Sequence, residues 1–531
     1  MTQDTRVSAH RNGGAAIVES LAAHGVDAIF GIPGTHNLEL YRHFPAAGIR
    51  AITPRHEQGA GYAAEAYARV GGRPGVVVTT SGPGLTNAMT AAATAYGESQ
   101  PMLLVSPGMP TGTEGRDLGQ LHEAKNISAA MSHLVRWSRR VRSADEAAEA
   151  VTDAFASFRG RRPRPVHIEI PTDVLEQAWH GEPRVAALLT APQADPESVA
   201  RAAALLAAAE RPLIIAGGGA VGAQPELTAL AEALGAPVAT TVNGKGVVAE
   251  THPLSVGAAI RLRALQTAAA ESDALLVVGS ELGDSDLWAG NISGQKVIRA
   301  DIDPAQLQKN CRADVVLQGD AATTTAALLA ALPPGESKSA GRAASLREAC
   351  RKEARIDADP YEAINTVVRE VLPDDAVLCG DSSQVTYFGS VHFFDVPGPR
   401  QFCYTPGFAT LGYGLPAGLG AAIAAPDRPV AVLLGDGALM FSVQELVALV
   451  EQRLPVPVIV VDNGGYAEIQ AQEELRNIPP IGVQLRTPDL AAMAMAMGAR
   501  GARTTQIGDL GTLIPPALAA DRPTLIHLDL R

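Results

Sequence analysis

Aromatic residues are scarce in this chain, 4% of 531 positions, so its cores have to be built mainly from Ala, Val and Leu. Cysteine is rarer still. Cys311, Cys350, Cys379 and Cys403 are scattered without CxxC spacing, which excludes a zinc-ribbon site and a disulfide framework. Charged residues make up only 19%, and acidic outnumber basic 56 to 43, for a net charge of −13. A chain of that sign lacks the basic clusters that neutralise nucleic-acid phosphates. The runs around Arg139, Arg140 and Arg142 and around Arg161, Arg162 and Arg164 are short and read as solvated surface. No apolar run reaches membrane-spanning length, and the opening MTQDTRVSAHRNGG holds no apolar signal segment. A soluble, cytoplasmic protein with no nucleic-acid or membrane partner is expected.

Apolar residues are plentiful, 47% of the chain, enough for several cores. Two stretches mix Pro, Gly and polar residues between more regular segments: GEPRVAALLTAPQADP (181–196) and LPPGESKSAGRA (332–343). Read as linkers, they divide the chain into 1–185, 186–340 and 341–531. Each segment alternates Ala/Leu-rich helical stretches with short Val/Ile/Leu runs, such as PGVVVTTSG, MLLVSPG, PLIIAGGG, ALLVVGS, VIRADID, PVAVLLGD and VPVIVVDN. Runs apolar at consecutive positions suit parallel strands covered on both faces. The expected fold is α/β, with three open parallel-sheet domains that bind ligands at the C-terminal ends of their strands.

The third segment carries the clearest chemical signal. VAVLL runs into Gly435-Asp436-Gly437, FSVQELVALVEQ follows with Ser442 and Glu445 spaced as a capping box, and VPVIVV ends at Asp462-Asn463-Gly464-Gly465. Either glycine turn alone reads as an ordinary tight turn. At the ends of successive strands they point to a diphosphate and an octahedral Mg2+, with hard oxygen ligands from Asp436 and Asn463 and a backbone carbonyl from Gly465.

These motifs resemble the thiamine-diphosphate enzymes grouped around acetolactate synthase, benzoylformate decarboxylase and pyruvate decarboxylase, whose signature is GDG followed about 27 residues on by Asn. Here Asp436 and Asn463 are 27 apart. The family's Asn pair is Asp462-Asn463 in this chain, a departure that precedes the implied ligand. The resemblance implies cofactor contacts from Gly435, Asp436, Gly437, Asn463, Gly465 and Tyr466. It also places Leu411, within CYTPGFATLGYGLPAGLGAAIA, beneath the bend of the cofactor.

In the first segment, Asn87 is expected to open the helix that follows the turn Ser81-Gly82-Pro83-Gly84, and RHEQGA and SGPGLTN resemble the family's pyrimidine-binding domain. The resemblance makes Glu57 the glutamate that hydrogen-bonds the pyrimidine N1′ and activates the cofactor. It also implies cofactor contacts from Pro33, Gly34, Ser81, Gly82 and Asn87. The family builds its active sites at a subunit interface, so a homodimer or homotetramer follows by resemblance. In the middle segment, TTVNGKGVVAETHPL and DIDPAQLQKNCRADVVLQGD resemble the central domain. The glycine-rich stretch that acetolactate synthases carry after HPL is replaced by SVGAAIRLRAL, which makes FAD unlikely.

The reaction depends on what delivers a proton after CO2 leaves. Thr35 or His36 in GIPGTHNLELY is one candidate. His122 in GQLHEAKN is another, either as an acid/base, a role histidines in general suit near neutral pH, or as a structural histidine. Glu468, five residues past Asn463, either faces the substrate, caps a helix expected to begin near Gln470, or pairs with Arg476. GIPGTHNLELY, GYAEIQ and IPPIGVQLRTPDL look most like the branch that decarboxylates 5-guanidino-2-oxopentanoate, whose cationic tail suits an acidic residue. Acetolactate synthase-type carboligation is the alternative. A catalytically inactive binding or regulatory homologue would be expected to lack Glu57 or Asp436, and both are present.

Overall fold

The computed structural model describes residues 11–187, 189–288, 290–333 and 341–531. The opening residues 1–10 and most of the 332–343 stretch, both read above from sequence, lie outside the described residues. The described residues of Met1–Arg159 and Pro163–Leu189 form one compact unit, and those of Gly160–Arg162 and Thr190–Arg531 a second.

The first unit is built on β1 (Ala28–Gly31), β2 (Arg50–Ile52), β3 (Gly75–Val78), β4 (Met102–Gly108), β5 (Ser138–Arg140) and β6 (Val166–Pro171). They form a sheet in the order β2-β1-β3-β4-β6-β5. Every residue of β1, β3, β4 and β6 is buried, as consecutive apolar runs require, while β5 closes the edge half-exposed. The shortage of aromatics is met by close approach of backbones. A Cβ at Gly61 in helix Glu57–Gly71 would lie 2.3 Å from the Cβ of Ala91 in helix Pro83–Gly97, and one at Gly75 would lie 2.1 Å from the Ala64 carbonyl oxygen.

The second unit holds two sheets. The first comprises β7 (Pro212–Ala216), β8 (Val238–Thr240), β9 (Ser255–Ala258), β10 (Ala274–Val278), β11 (Val297–Asp301) and β12 (Val315–Gln318), ordered β12-β11-β10-β7-β8-β9. The other comprises β13 (Val377–Gly380), β14 (Phe402–Cys403), β15 (Val430–Gly435), β16 (Pro457–Asp462), β17 (Arg500–Thr504) and β18 (Thr524–Asp529), ordered β14-β13-β15-β16-β18-β17. All pairings between these named strands, in all three sheets, are parallel. The three six-stranded parallel sheets match the expected fold class.

Within the second unit the segment after β8 is clamped to the third sheet's domain. Lys245 and Glu250, both buried, bond to the backbone at Val391 and Val396, and Gly246 lies so close to Gly398 that a Cβ would meet its carbonyl oxygen at 2.0 Å.

Three local expectations need correction. No capping box forms at Ser442. A short helical turn, Asp436–Leu439, comes first, the longer helix starts at Glu445, and the Ser442 hydroxyl is buried without a hydrogen-bond partner. The helix after Ser81-Gly82 begins at Pro83, so Asn87 lies in its second turn rather than at its start. The helix containing Glu468 runs Ala467–Leu475 and starts earlier than expected. Among the described residues no helix is long and apolar enough to cross a membrane. The four cysteines are buried, and none of them is joined in a disulfide.

Candidate active site

In the third sheet, β15 and β16 are neighbours with Gly435 opposite Val461, which brings the GDG and DNGG turns side by side at the strands' C-terminal ends. Gly435 N–H donates to Ser383 Oγ at 3.0 Å. Asp436 is 2% exposed; its Oδ2 accepts from the Thr487 hydroxyl at 3.1 Å, and its Oδ1 is buried with no partner. Burial first, and then the nearby Asp462 carboxylate, push the Asp436 carboxyl above the ordinary range. An orphaned buried carboxylate oxygen is costly unless a cation meets it.

Asn463 donates its amide N–H groups to Gln384 Oε1 at 3.3 Å and to Tyr361 Oη at 3.4 Å, which leaves its oxygen as the free end. Gly464 and Gly465 have φ of +92° and +132°, conformations that side-chain-bearing residues rarely adopt. Gly437 is bare because a Cβ would sit 3.0 Å from the Tyr466 ring. Asp462 faces the sheet interior, where its Oδ2 lies 2.9 Å from His527 Nε2 on β18 and its Oδ1 accepts from Gly464 N–H at 3.1 Å.

Leu411 is set by an aspartate that the motifs did not single out. The carboxylate of Asp381, at the end of β13, accepts N–H bonds from Gly412 at 3.1 Å, Gly414 at 2.7 Å and Ser382 at 2.8 Å. Burial pushes its pKa up to about 7 against those donors. Leu411, Asp436, Asn463, Gly465, Tyr466 and Glu468 all line one cavity of about 350 Å3.

Glu468, in the first turn of helix Ala467–Leu475, bonds neither the helix N-terminus nor Arg476. Its Oε2 accepts from Gln384 Nε2 at 3.2 Å and the Tyr387 hydroxyl at 3.3 Å, and its Oε1 accepts from Gln472 at 3.0 Å. Gln384 thus touches both Glu468 and Asn463. In the stretch that replaces the glycine-rich segment, Arg261 lies 4.2 Å over the Trp288 ring and donates Nε–H to His392 Nε2 at 2.7 Å.

In the first unit, Glu57 opens helix Glu57–Gly71 and is 8% exposed; its Oε2 accepts from Asn87 Nδ2 at 3.0 Å. The loop after β1 is fixed by Asn37, fully buried, which accepts from Gly34 N–H at 2.7 Å and donates to the Ile32 carbonyl at 3.0 Å. Pro33 and Gly34 lie in this loop, and Gly34 packs on Thr80, whose Oγ1 a Cβ would meet at 2.8 Å. The loop delivers His36 to Ser81, with Nδ1 2.6 Å from Ser81 Oγ; His122 Nδ1 lies 3.2 Å from the same oxygen. Burial and the neighbouring His122 pull His36 below the ordinary imidazole range. His122 lines a cavity of about 200 Å3 within this unit.

The site residues named from sequence therefore fall into two groups. Leu411, the two glycine turns, Tyr466 and Glu468 line or border one cavity of the second unit. Glu57 and Asn87 pair in the first unit, where His36, Ser81 and His122 also meet. Asn37, Tyr361, Asp381, Gln384, Tyr387, Thr487 and His527 were not legible. Only Asn37, three residues after Gly34, offers a local sign, an Asn placed to fold back on its own loop.

Comparison with known proteins matches three family models in order. They are the N-terminal TPP binding domain of thiamine pyrophosphate enzymes over residues 11–130, the central domain over 199–328 and the C-terminal TPP binding domain over 381–528. Over 525 residues the chain is 39% identical to a "Probable 2-ketoarginine decarboxylase" of Pseudomonas aeruginosa, covering 97% of this chain and 93% of the relative. It is 32% identical to a "Probable acetolactate synthase large subunit" of Methanocaldococcus jannaschii, covering 97% and 91%. It is also 32% identical to the acetolactate synthase isozyme 1 large subunit of Escherichia coli, covering 86% and 83%.

Proposed function

Because the chain belongs to the thiamine pyrophosphate enzymes, we propose that it decarboxylates 5-guanidino-2-oxopentanoate to CO2 and the guanidino aldehyde. The observation that carries the substrate is Glu468. Its carboxylate lines the same cavity as Asp436, Asn463 and Leu411, steadied by Gln384 and Tyr387. A guanidinium offers a planar fork of donors that matches a carboxylate in geometry as well as charge. The identity with a relative named for the same chemistry supports the reading.

The residues fit the cofactor and a divalent cation. Asp436 Oδ1, the free oxygen of Asn463 and the carbonyl of Gly465 would hold Mg2+, whose charge answers the orphaned oxygen of Asp436. The backbone of Gly435, Gly437 and Tyr466 would approach the diphosphate, and Leu411, fixed through Asp381, would support the bend of the cofactor. Bound there, thiamine diphosphate supplies an electron sink for the pair released when CO2 departs. Glu57, kept in place by Asn87, would hold the pyrimidine nitrogen, with Pro33, Gly34, Ser81 and Gly82 as neighbouring backbone. His36 and His122 would supply the proton that replaces CO2.

A homo-oligomer with active sites at a subunit interface belongs to the same reading and rests on the family resemblance. So do domain bounds of 1–185, 186–340 and 341–531, and cytoplasmic residence, the latter in keeping with four cysteines that form no disulfide. No flavin is required, so purified protein is expected to be colourless. Carboligation is the competing reading, favoured by the acetolactate synthase relatives. The deciding experiment measures CO2 release from 5-guanidino-2-oxopentanoate and from pyruvate, with thiamine diphosphate and Mg2+ added, and identifies the organic product. An aldehyde from the guanidino acid is expected. Preferred use of pyruvate with accumulation of acetolactate would overturn the reading.

A further inference from the structure

Two imidazoles meet at one hydroxyl. His36 Nδ1 and His122 Nδ1 lie 2.6 and 3.2 Å from Ser81 Oγ, with ring centroids 5.4 Å apart. A serine hydroxyl has one proton and two lone pairs. With both rings neutral, both contacts are hydrogen bonds and the hydroxyl proton is used between the rings only if Ser81 donates to one Nδ1 and accepts from the other. One ring then carries its proton on Nδ1 and the other on Nε2. Two rings protonated only at Nε2 would set lone pair against lone pair at one of the contacts. Two imidazolium rings at this separation would repel, which favours passing one proton at a time through the hydroxyl.

We propose that His36, Ser81 and His122 form a single relay that stores one exchangeable proton, with Ser81 the positioning residue that gives the two rings complementary tautomers. In the transfer step the Nδ1 proton of a His122 imidazolium passes to Ser81 Oγ as the Ser81 proton passes to His36 Nδ1. His122 is left neutral with its proton on Nε2, His36 becomes the imidazolium, and the hydroxyl is regenerated. Only N–H and O–H bonds change. The use of the relay rests on the decarboxylase reading, since replacing CO2 by hydrogen on the same carbon consumes one proton per turnover.

The backbone holds the three groups together. His122 adopts φ of +64°, a left-handed conformation uncommon outside glycine, and Gly82 adopts +56°. A Cβ at Gly82 would lie 2.4 Å from the His122 carbonyl oxygen, so the loop carrying His122 sits directly on the turn that carries Ser81. Ser81 is 1% exposed, which leaves little room for water to replace its hydroxyl. The charged groups that share a cavity with His122 are Glu114, Lys125, Arg140 and Glu169; Arg140 pairs with both glutamates, which leaves Lys125 as the cation outside those pairs. His167, in the same unit, shows the structural alternative: its Nε2 and Nδ1 bond two different serines, Ser106 and Ser138, at 2.8 and 2.7 Å, and neither serine joins two rings.

The test uses the full-length chain with thiamine diphosphate and Mg2+, histidines labelled with 15N, and long-range proton–nitrogen correlation to read each tautomer. His36→Asn and His122→Asn assign the two rings. In the parent, one ring is expected to carry its proton on Nδ1 and the other on Nε2. Ser81→Ala should abolish that complementarity and let the rings titrate independently, while Ser81→Thr should keep it. In turnover, Ser81→Ala should lower kcat by about tenfold or more with KM within about twofold, on the scale of acid–base catalysis, and Ser81→Thr should recover most of the loss. The same tautomer on both rings of the parent, or a pattern unchanged in Ser81→Ala, would overturn the relay. If the tautomers behave as expected but no 2-oxo acid loses CO2, the relay stands and the decarboxylase reading falls.

Discussion

Lys245 Nζ lies 2.7 and 2.6 Å from the two carboxylate oxygens of Glu250, and both side chains are almost closed to solvent. Burial, the larger influence, pushes Glu250 up, and Lys245 pulls it back. The remaining capacity of the pair is used on the backbone: Lys245 donates to the Val391 carbonyl at 3.2 Å, and Glu250 accepts from Val396 N–H at 2.8 Å. Lys245→Met should therefore leave a buried, uncompensated carboxylate and cost about 3–5 kcal/mol. Lys245→Met with Glu250→Gln should cost less than Lys245→Met alone. Urea unfolding of the three proteins checks both statements, and equal losses would show that the ion pair is not the source of the effect.

Asp436→Ala should weaken binding of thiamine diphosphate with Mg2+ by at least about tenfold, the scale of loss when metal-site groups are removed. It should leave the cofactor-free protein as stable as the parent or more so. The second expectation follows from the orphaned Oδ1, a buried polar atom that costs about 1–3 kcal/mol while nothing meets it. Calorimetric titration reads the affinity and thermal unfolding the stability. Unchanged affinity would remove Asp436 from the site.

Glu468→Gln keeps the size of the side chain and removes its charge. The preference for 5-guanidino-2-oxopentanoate over pyruvate, measured as a ratio of kcat/KM, should fall by about 2–5 kcal/mol, the cost of leaving a bound cation unpaired. Equal losses on both substrates would assign Glu468 a general role rather than a selective one.

His167 gives a pH dependence of known sign. Full burial pushes its pKa down to about 3 from an ordinary 6.5, so the folded chain keeps it neutral where the unfolded chain protonates it. Its contribution to stability is complete above about pH 6.5 and is lost as pH falls toward 3, reaching about 2–3 kcal/mol by pH 4.5. His167→Asn should flatten that part of the stability profile. An unchanged slope between pH 6.5 and 4.5 in denaturant unfolding would show that other groups carry it.

The strands and the GDG-to-Asn turns were legible because both are local: consecutive apolar residues demand cover on two faces, and glycine followed by a carboxylate at a strand end makes a recognisable turn. Glu57 was legible only through its surrounding motif. What escaped is non-local. His36, Ser81 and His122 are 45 and 41 positions apart, and no periodicity links them. The Asp462 departure gave no hint of His527, which reaches it from β18, 65 positions on, because β16 and β18 are neighbours in the sheet. The capping box failed for a physical reason. The turn Asp436–Leu439 forms first, so Ser442 enters the next helix with its hydroxyl buried and unpartnered and only its carbonyl bonded to Glu445 N–H.

The parallel sheets also bear on how the chain reaches its fold. A parallel neighbour cannot be reached through a two-residue hairpin; each pairing waits for a long crossover to close. β13 and β15 pair across more than fifty residues, and β16 and β18 across a similar span. Loop-closure entropy is spent before those contacts repay it, and the apolar strands stay open to other chains in the meantime. Refolding from denaturant should accordingly be slow, and its yield should fall as protein concentration rises.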